Sequence, residues 1–270
     1  MKLKNRLSLN LFNVDILGKL KTVLKKNQDQ GVFDLAKALE GDNVYCVCCG
    51  KSFITFLPFG LVKRANALCP NCNSLERHRL HWHYMLHKTN LFDHDGKLKL
   101  LHVAPESIFY NRFVNDPSIE YFPCAKFGEG YNDMYPSGTL NVDITDMQFP
   151  DHEFDVIYCS HVLEHIPEDR KAIQELYRVL KPGGWGMLQV PLDATRDTTY
   201  EDFSITQPAE REKAFGQADH VRVYGKDYRE RLNSAGFFVH VENYIGQFTG
   251  NEIFRNAFMR GEEIYICSKQ

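Results

Sequence analysis

The sequence predicts an α/β protein: a parallel sheet with helices on both faces, preceded by a small helical segment and a metal-held ribbon. Three observations carry that expectation. From about residue 98 onward, short apolar strand-like runs alternate with segments of helical periodicity. Ahead of them, Cys46 and Cys49, then Cys69 and Cys72, form two C-x2-C pairs with nineteen residues between. The hydrophobic share of 43% and charged share of 25% are those of an ordinary globular chain. The pattern divides the chain into a helical segment over 1–43, a ribbon with its linking helix over 44–90, and an α/β domain over 91–270.

Taken in order, residues 10–40 place Leu11, Val14, Leu17, Leu20 and Leu24, then Val32, Leu35, Ala38 and Leu39, at helical spacing. Two short helices broken near Gly31 follow from this. In the ribbon, Phe53-Ile54-Thr55-Phe56 reads as a strand between the cysteine pairs. Two close pairs turn four thiolates toward one Zn²⁺, and Gly50 and Pro70 suit the tight turns this needs. Cys48 competes as a ligand, but the x2 spacing favours Cys46, since adjacent cysteines do not both turn easily toward one ion. Four cysteines leave no open coordination position, so the zinc is expected to be structural. Ser74 is placed to cap a helix over 74–88, whose His- and Arg-rich sequence suits a solvated or interdomain face, or substrate-anion contacts from Arg77 and Arg79.

Strands are expected at 98–104, 119–124, 139–142, 154–159 and 184–190, with helices near 168–180 and 226–235. Phe237–Glu242 and Glu263–Ser268 complete the set as strands joined by a long connection. Pro182 ends the helix before it, and Gly183-Gly184 permit the turn into the next strand.

The charge is unevenly distributed. Residues 1–90 carry 14 Lys and Arg against 6 Asp and Glu, whereas residues 91–270 carry 18 against 29. The basic front part suits nucleic-acid phosphates or anionic substrates, and equally suits docking on the acidic part of the same chain. No run reaches the eighteen apolar residues of a membrane helix, so no membrane insertion is expected. Asn10, Asn13 and Asp15 interrupt any signal core, and the cysteine usage fits a reducing cytoplasm.

The stretch DITDMQFPDHEFDVIYCSHVLEHIPEDRKAIQELYRVLKPGGWGMLQVP (143–191) resembles class I S-adenosylmethionine (SAM)-dependent methyltransferases of the type 11-like group. The likeness is specific there and looser over 98–268. The segment CPNCNSLERHR ahead of it is similar to a bacterial subgroup with a zinc ribbon before the catalytic domain. The resemblance implies a Rossmann-like sheet, SAM as cofactor, and binding across the carboxyl ends of the strands. By the same resemblance, Asp143 accepts a hydrogen bond from the adenine amino group and Ile144 packs near the ring. Ser160 and His161 line the methionine side. The first loop, His102-Val103-Ala104-Pro105-Glu106-Ser107, departs from the family's acidic, glycine-rich pattern; His102, Ala104 and Glu106 are expected to hold the cofactor with altered contacts. Lys126 stands where the family's ribose-holding acidic residue usually lies.

His161-x-x-Glu164-His165 also matches the H-x-x-E-H of inverted zinc peptidases. That chemistry needs a long stable helix, whereas this motif directly follows a strand and ends two residues before Pro167. The long connection 193–224 brings Asp219-His220-Val221-Arg222-Val223-Tyr224. His220 is the candidate general base, with Arg222 and Tyr224 beside it; the alternative is that His220 and Arg222 stitch the loop to Glu201 or Asp202. The expected acceptor is a small molecule or a saccharide- or lipid-linked metabolite. A ribosomal RNA base methyltransferase, with RNA as partner, and a non-catalytic binding protein are the rivals. Oligomeric state is not legible in the sequence.

Overall fold

Two units share this chain, and the sequence passes between them more than once. In the computed structural model, which describes residues 35–128 and 135–270, residues 35–88 group with Tyr244–Glu262. Thr89–Asn243 group with Glu263–Gln270. The sequence reading placed all of 91–270 in one domain; the structure gives 244–262 to the front unit. The reason is buried polar satisfaction and ring packing within that unit. The Arg79 guanidinium donates to the Ala257 carbonyl at 2.8 Å, and the His83 ring packs against Tyr244, Phe248 and Phe258. The helices expected over 10–40 lie largely outside the described residues; of that stretch, α1 (Leu35–Ala38) is described.

In the front unit, β1 (Glu40–Cys46) pairs antiparallel with β2 (Lys51–Phe53), and β3 (Leu57–Phe59) with β4 (Arg64–Leu68). The strand expected over 53–56 ends at Phe53. The Phe56 amide donates to the Asn66 side chain at 2.8 Å rather than to a ladder, and its ring is buried under the Arg79 guanidinium. Helix α2 (Glu76–Lys88) is no solvated face: His78, Arg79, His81, Trp82 and Met85 are buried on it. Arg79 is wholly buried and spends its donors on the carbonyls of Ala67, Ser74 and Ala257. That corrects the expectation of a substrate contact from Arg79, since a buried, carbonyl-saturated guanidinium has no donor left for a ligand.

The second unit is built on a seven-stranded sheet. Its strands are β5 (Leu98–Val103), β6 (Ile119–Ala125), β7 (Leu140–Asn141), β8 (Phe154–Ser160), β9 (Leu180–Gln189), β12 (Phe238–Glu242) and β13 (Ile264–Ser268), in the order β12-β13-β9-β8-β5-β6-β7. Strands β5 to β9 pair in parallel, whereas β13 is antiparallel to both its neighbours, so the sheet is mixed rather than all-parallel. The reversal follows from the chain leaving β12 at Glu242 and re-entering β13 at Ile264 from the same end of the sheet. The central strands are buried along almost their whole length, as strands covered on both faces must be. Helix α3 (Ser107–Phe113) follows β5, and helix α4 (Asp169–Val179) lays Ala172, Ile173, Leu176 and Val179 into the core as one apolar stripe. Between β9 and β12 come β10 (Tyr200–Glu201), α5 (Pro208–Phe215), β11 (Arg222–Val223) and α6 (Tyr228–Asn233).

The chain order puts a topological switch between β5 and β8. After β5 it proceeds outward through β6 and β7; it then crosses to the other side of β5 for β8 and continues to β9. Loops leaving β5 and β8 therefore diverge, the arrangement that in open α/β sheets places a ligand crevice at the carboxyl ends of the strands.

Candidate active site and metal centres

Both loops that border the switch begin with a strained residue. Ala104 follows β5 at φ 51° and His161 follows β8 at φ 56°. Non-glycine residues take this left-handed conformation at a cost of about 1–2 kcal/mol, and such strain concentrates at functional sites. Ala104 thus adopts unaided the bend that glycine supplies cheaply, so the absence of a glycine there does not prevent the turn. The buried His102 ring is held at both nitrogens, Nδ1 at 2.8 Å from the Tyr121 hydroxyl and Nε2 at 2.9 Å from Glu106 Oε2. His102 is therefore a support for Glu106, whose carboxylate is partly exposed. The Ser160 hydroxyl, buried at the end of β8, has no hydrogen-bond partner among the described residues.

Beyond β7, Asp143 Oδ1 accepts from the Thr145 amide at 2.9 Å and Oδ2 from Lys126 Nζ at 2.6 Å. Partial burial works to raise its pKa, but these hydrogen bonds outweigh it and hold the carboxyl at about 2. Lys126 and Asp143, expected as separate cofactor contacts, are thus one ion pair. Ile144 is 3% exposed and packs in the core among Leu101, Val103 and Met147. The expectation of a ring contact from Ile144 is corrected on that ground, because its surface is already covered.

The loop 193–224 departs from expectation more sharply. Arg222 is buried and donates to the carbonyls of Leu163, Ile166 and Pro167 at 2.5–2.8 Å, and to Glu201 at 2.9 Å. The Tyr224 hydroxyl, also buried, donates to Asp169 Oδ2 at 2.6 Å, and burial pushes its pKa well up. Neither side chain faces an open site, so catalytic roles for Arg222 and Tyr224 are corrected to anchoring ones. Arg222 does bind Glu201, as the stitching alternative has it. It also clamps the turn 163–167 to the segment 220–222, a bond reinforced by the Val221 amide donating to the Glu164 carbonyl at 2.9 Å.

That clamp has a product. Glu164, His165 and His220 each bring one ligand-capable atom within 4.8 Å of the others. Glu164 is 1% exposed, and among the described residues neither of its carboxylate oxygens has a hydrogen-bond partner. His220 is buried with Nδ1 at 3.3 Å from the Phe215 carbonyl, and burial lowers its pKa. In the sequence, Glu164 and His165 stand out only through the H-x-x-E-H pattern, whose peptidase reading the preceding strand and Pro167 rule out. The available signal was the HxxEH motif just past a strand, with a second histidine source in the following loop; nothing in the sequence placed them together.

In the front unit, the four thiols converge. Cys46 Sγ lies 3.6 Å from Cys72 Sγ and Cys49 Sγ 3.8 Å from Cys69 Sγ, and all four fall within 4.8 Å of one another. The two turns are built alike. The amide four residues after the first cysteine of each pair, Gly50 or Asn73, donates back to that cysteine's carbonyl, and both residues have positive φ. A tetrahedral four-thiolate centre with metal–sulfur bonds of ~2.3 Å needs sulfurs about 3.8 Å apart, so the donor set fits zinc. Cys48 turns away, its thiol directed to the His78 carbonyl at 3.7 Å.

Comparison with known proteins places residues 119–188 on a methyltransferase-domain family model. That stretch runs from β6 to near the end of β9 and includes the β8 edge. A demethylmenaquinone methyltransferase of Clavibacter sepedonicus is 47% identical over 45 residues, 17% of this chain and 18% of that protein. The 27-O-demethylrifamycin SV methyltransferase of Amycolatopsis mediterranei is 28% identical over 111 residues, 40% of this chain and 38% of that protein. A solved SAM-dependent methyltransferase from Mesorhizobium loti aligns with TM-score 0.47 at 14% identity, over 70% of this chain and 97% of that one. The chain spans less than two fifths of the length of these two curated relatives. Among the described residues, no helix is long and apolar enough to cross a membrane. Residues 119–188, which match the methyltransferase-domain family model, contain β8, one of the two strands that border the switch point.

Proposed function

We propose that this chain is a SAM-dependent methyltransferase acting on a small-molecule or saccharide- or lipid-linked acceptor, with a structural Zn²⁺ bound by Cys46, Cys49, Cys69 and Cys72. The observation that carries the catalytic reading is that the family match, residues 119–188, contains β8, one of the two strands that border the switch point. Open α/β sheets bind ligands in that crevice. The residues there suit the cofactor: a buried Ser160 hydroxyl without a partner among the described residues, two left-handed bends that bring backbone close, and a carboxylate kept ionised at Asp143.

When bound, SAM supplies a methyl group on a sulfonium cation for in-line displacement. This chain's task is then chiefly positioning. Asp143 offers carboxylate lone pairs to the adenine amino group while Lys126 and Thr145 fix its orientation. Glu106, oriented by His102 and Tyr121, presents a carboxylate at the first loop. Ser160 and His161 border the methionine side. His220 borders the acceptor side as one member of its cluster with Glu164 and His165. The names of the demethylmenaquinone and demethylrifamycin relatives support a small-molecule acceptor. In the front unit, four thiolates close the coordination sphere, so zinc there holds structure and takes no substrate.

Calorimetric titration with SAM and with S-adenosylhomocysteine tests the reading. Saturable binding of both, weakened by Asp143→Ala, is the expected result; no binding of either at millimolar concentration overturns it.

A further inference from the structure

Glu164, His165 and His220 bring their lone pairs together. The Glu164 carboxylate is 1% exposed, and among the described residues neither of its oxygens has a hydrogen-bond partner. The nearest nitrogens are His161 Nδ1 at 3.4 Å and His165 Nε2 at 3.9 Å from Oε1, and neither completes a hydrogen bond to it. A buried ionised carboxylate without donors is costly, and proteins relieve that cost by pairing or by metal coordination.

The two imidazoles are set up as ligands. His165 Nδ1 lies 3.3 Å from the Asp219 carbonyl and 3.3 Å from Asp219 Oδ2, so its proton belongs on Nδ1 and Nε2, the nitrogen facing Glu164, keeps its lone pair. His220 Nδ1 faces the Phe215 carbonyl at 3.3 Å, which likewise places the proton there and frees Nε2. Metal-binding histidines almost always donate their other N–H to a carbonyl or carboxylate in this way. The pieces come from two segments 55 residues apart and are held in register by Arg222, which donates to Leu163, Ile166 and Pro167.

We propose that Glu164, His165 and His220 form a second metal site, for a divalent first-row transition-metal ion, separate from the four-thiol centre. Two imidazoles and one carboxylate are a mixed nitrogen–oxygen set that suits such an ion rather than calcium or a soft thiolate-seeking one. Three protein ligands leave at least one position open, unlike the closed sphere of the cysteines. Ligand bonds of ~2.1 Å bring such atoms about 3–4 Å apart, which small side-chain rotations reach from the present geometry. His161 and Asp219 flank the site, the first beside Glu164 and the second behind His165. The proposal does not depend on the methyl-transfer reading.

The test uses the full chain with its thiol centre filled by Zn²⁺, titrated with Co²⁺ by calorimetry and examined by X-ray absorption. One further equivalent of Co²⁺ with imidazole and oxygen ligands is expected. Glu164→Gln and His220→Ala are each expected to weaken it by at least about tenfold. Glu164→Gln has a second readout. It keeps size and replaces a buried carboxylate with a neutral amide that can donate, so it should raise the melting temperature of the Co²⁺-free protein by about 2–4 °C. No Co²⁺ uptake beyond zinc overturns the proposal, as does Co²⁺ bound without imidazole ligands. Unchanged affinity in Glu164→Gln overturns it too, and a lowered melting temperature in that variant marks Glu164 as a structural ion-pair partner instead. Should His220→Ala fail to fold, the wild-type absorption spectrum and Glu164→Gln decide alone.

Discussion

The four-thiol cluster and the Glu164–His165–His220 cluster are both convergent sets of ligand atoms, but they are assembled by opposite means. Each thiol pair is made by one local turn, closed by an amide from Gly50 or Asn73 to the carbonyl of the cysteine four residues back. The acidic–imidazole cluster has no such local source. Its members sit on a short 3-10 turn (Leu163–His165) and on a loop segment more than fifty residues later, and a buried arginine holds the two together. Local turns make a ligand set robust and readable; a tertiary clamp makes one that depends on a residue outside the set.

The comparison breaks first at the cysteines. Cys46→Ser, or prolonged chelation, is expected to abolish zinc retention and with it the unfolding transition of the front unit. For structural sites the metal-binding free energy, ~10–16 kcal/mol in small zinc modules, is folding free energy. Metal analysis paired with calorimetric unfolding checks this, and a Cys46→Ser protein with unchanged stability would contradict it. Cys48→Ser should leave zinc in place, since Cys48 points at the His78 carbonyl.

Next in size is the clamp. Arg222→Ala removes the buried ion pair with Asp169 at 3.6 Å and one of the two arginines on Glu201, Arg231 remaining, and takes this donor from the carbonyls of Ile166 and Pro167. A loss of about 3–5 kcal/mol is expected in chemical denaturation of the second unit, the range for removing one side of a buried charged pair. Arg222→Lys, with fewer donors in a different geometry, should recover only part of it. A variant as stable as wild type would show that the loop 193–224 is held by other contacts.

The smallest effect sits at the first loop. Ala104→Gly relieves a left-handed alanine and is expected to stabilise the second unit by up to about 1 kcal/mol, the strain relief being partly offset by glycine's larger entropy loss. Thermal unfolding measures it; a destabilised Ala104→Gly would mean that the alanine methyl contributes packing that outweighs its backbone strain.

How far the sequence could be read follows the same division. The strands Leu98–Val103 and Phe154–Ser160 and the helix Asp169–Val179 were legible because apolar periodicity is a local signal, whereas the strand expected from 184 begins at Leu180 and takes in Pro182-Gly183-Gly184. The antiparallel β13 was not, because strand direction depends on how the chain returns from 244–262. Arg79 read as a face or substrate-anion residue, and Arg222 as a catalytic or loop-stitching one, because nothing local tells a guanidinium that several carbonyls will surround it; burial is a property of the assembled fold. The same holds for Tyr224, whose hydroxyl is committed to Asp169, and for Ile144, whose surface the core covers.

What the sequence by itself determined was the identity and spacing of the four thiol ligands and the alternating pattern of the sheet domain, both set by interactions within a few residues of chain. Only the tertiary structure decided which polar residues are anchors and which are left with unshared lone pairs. Those outcomes turn on desolvation and on partners supplied from distant segments, and neither is written in any short stretch of sequence.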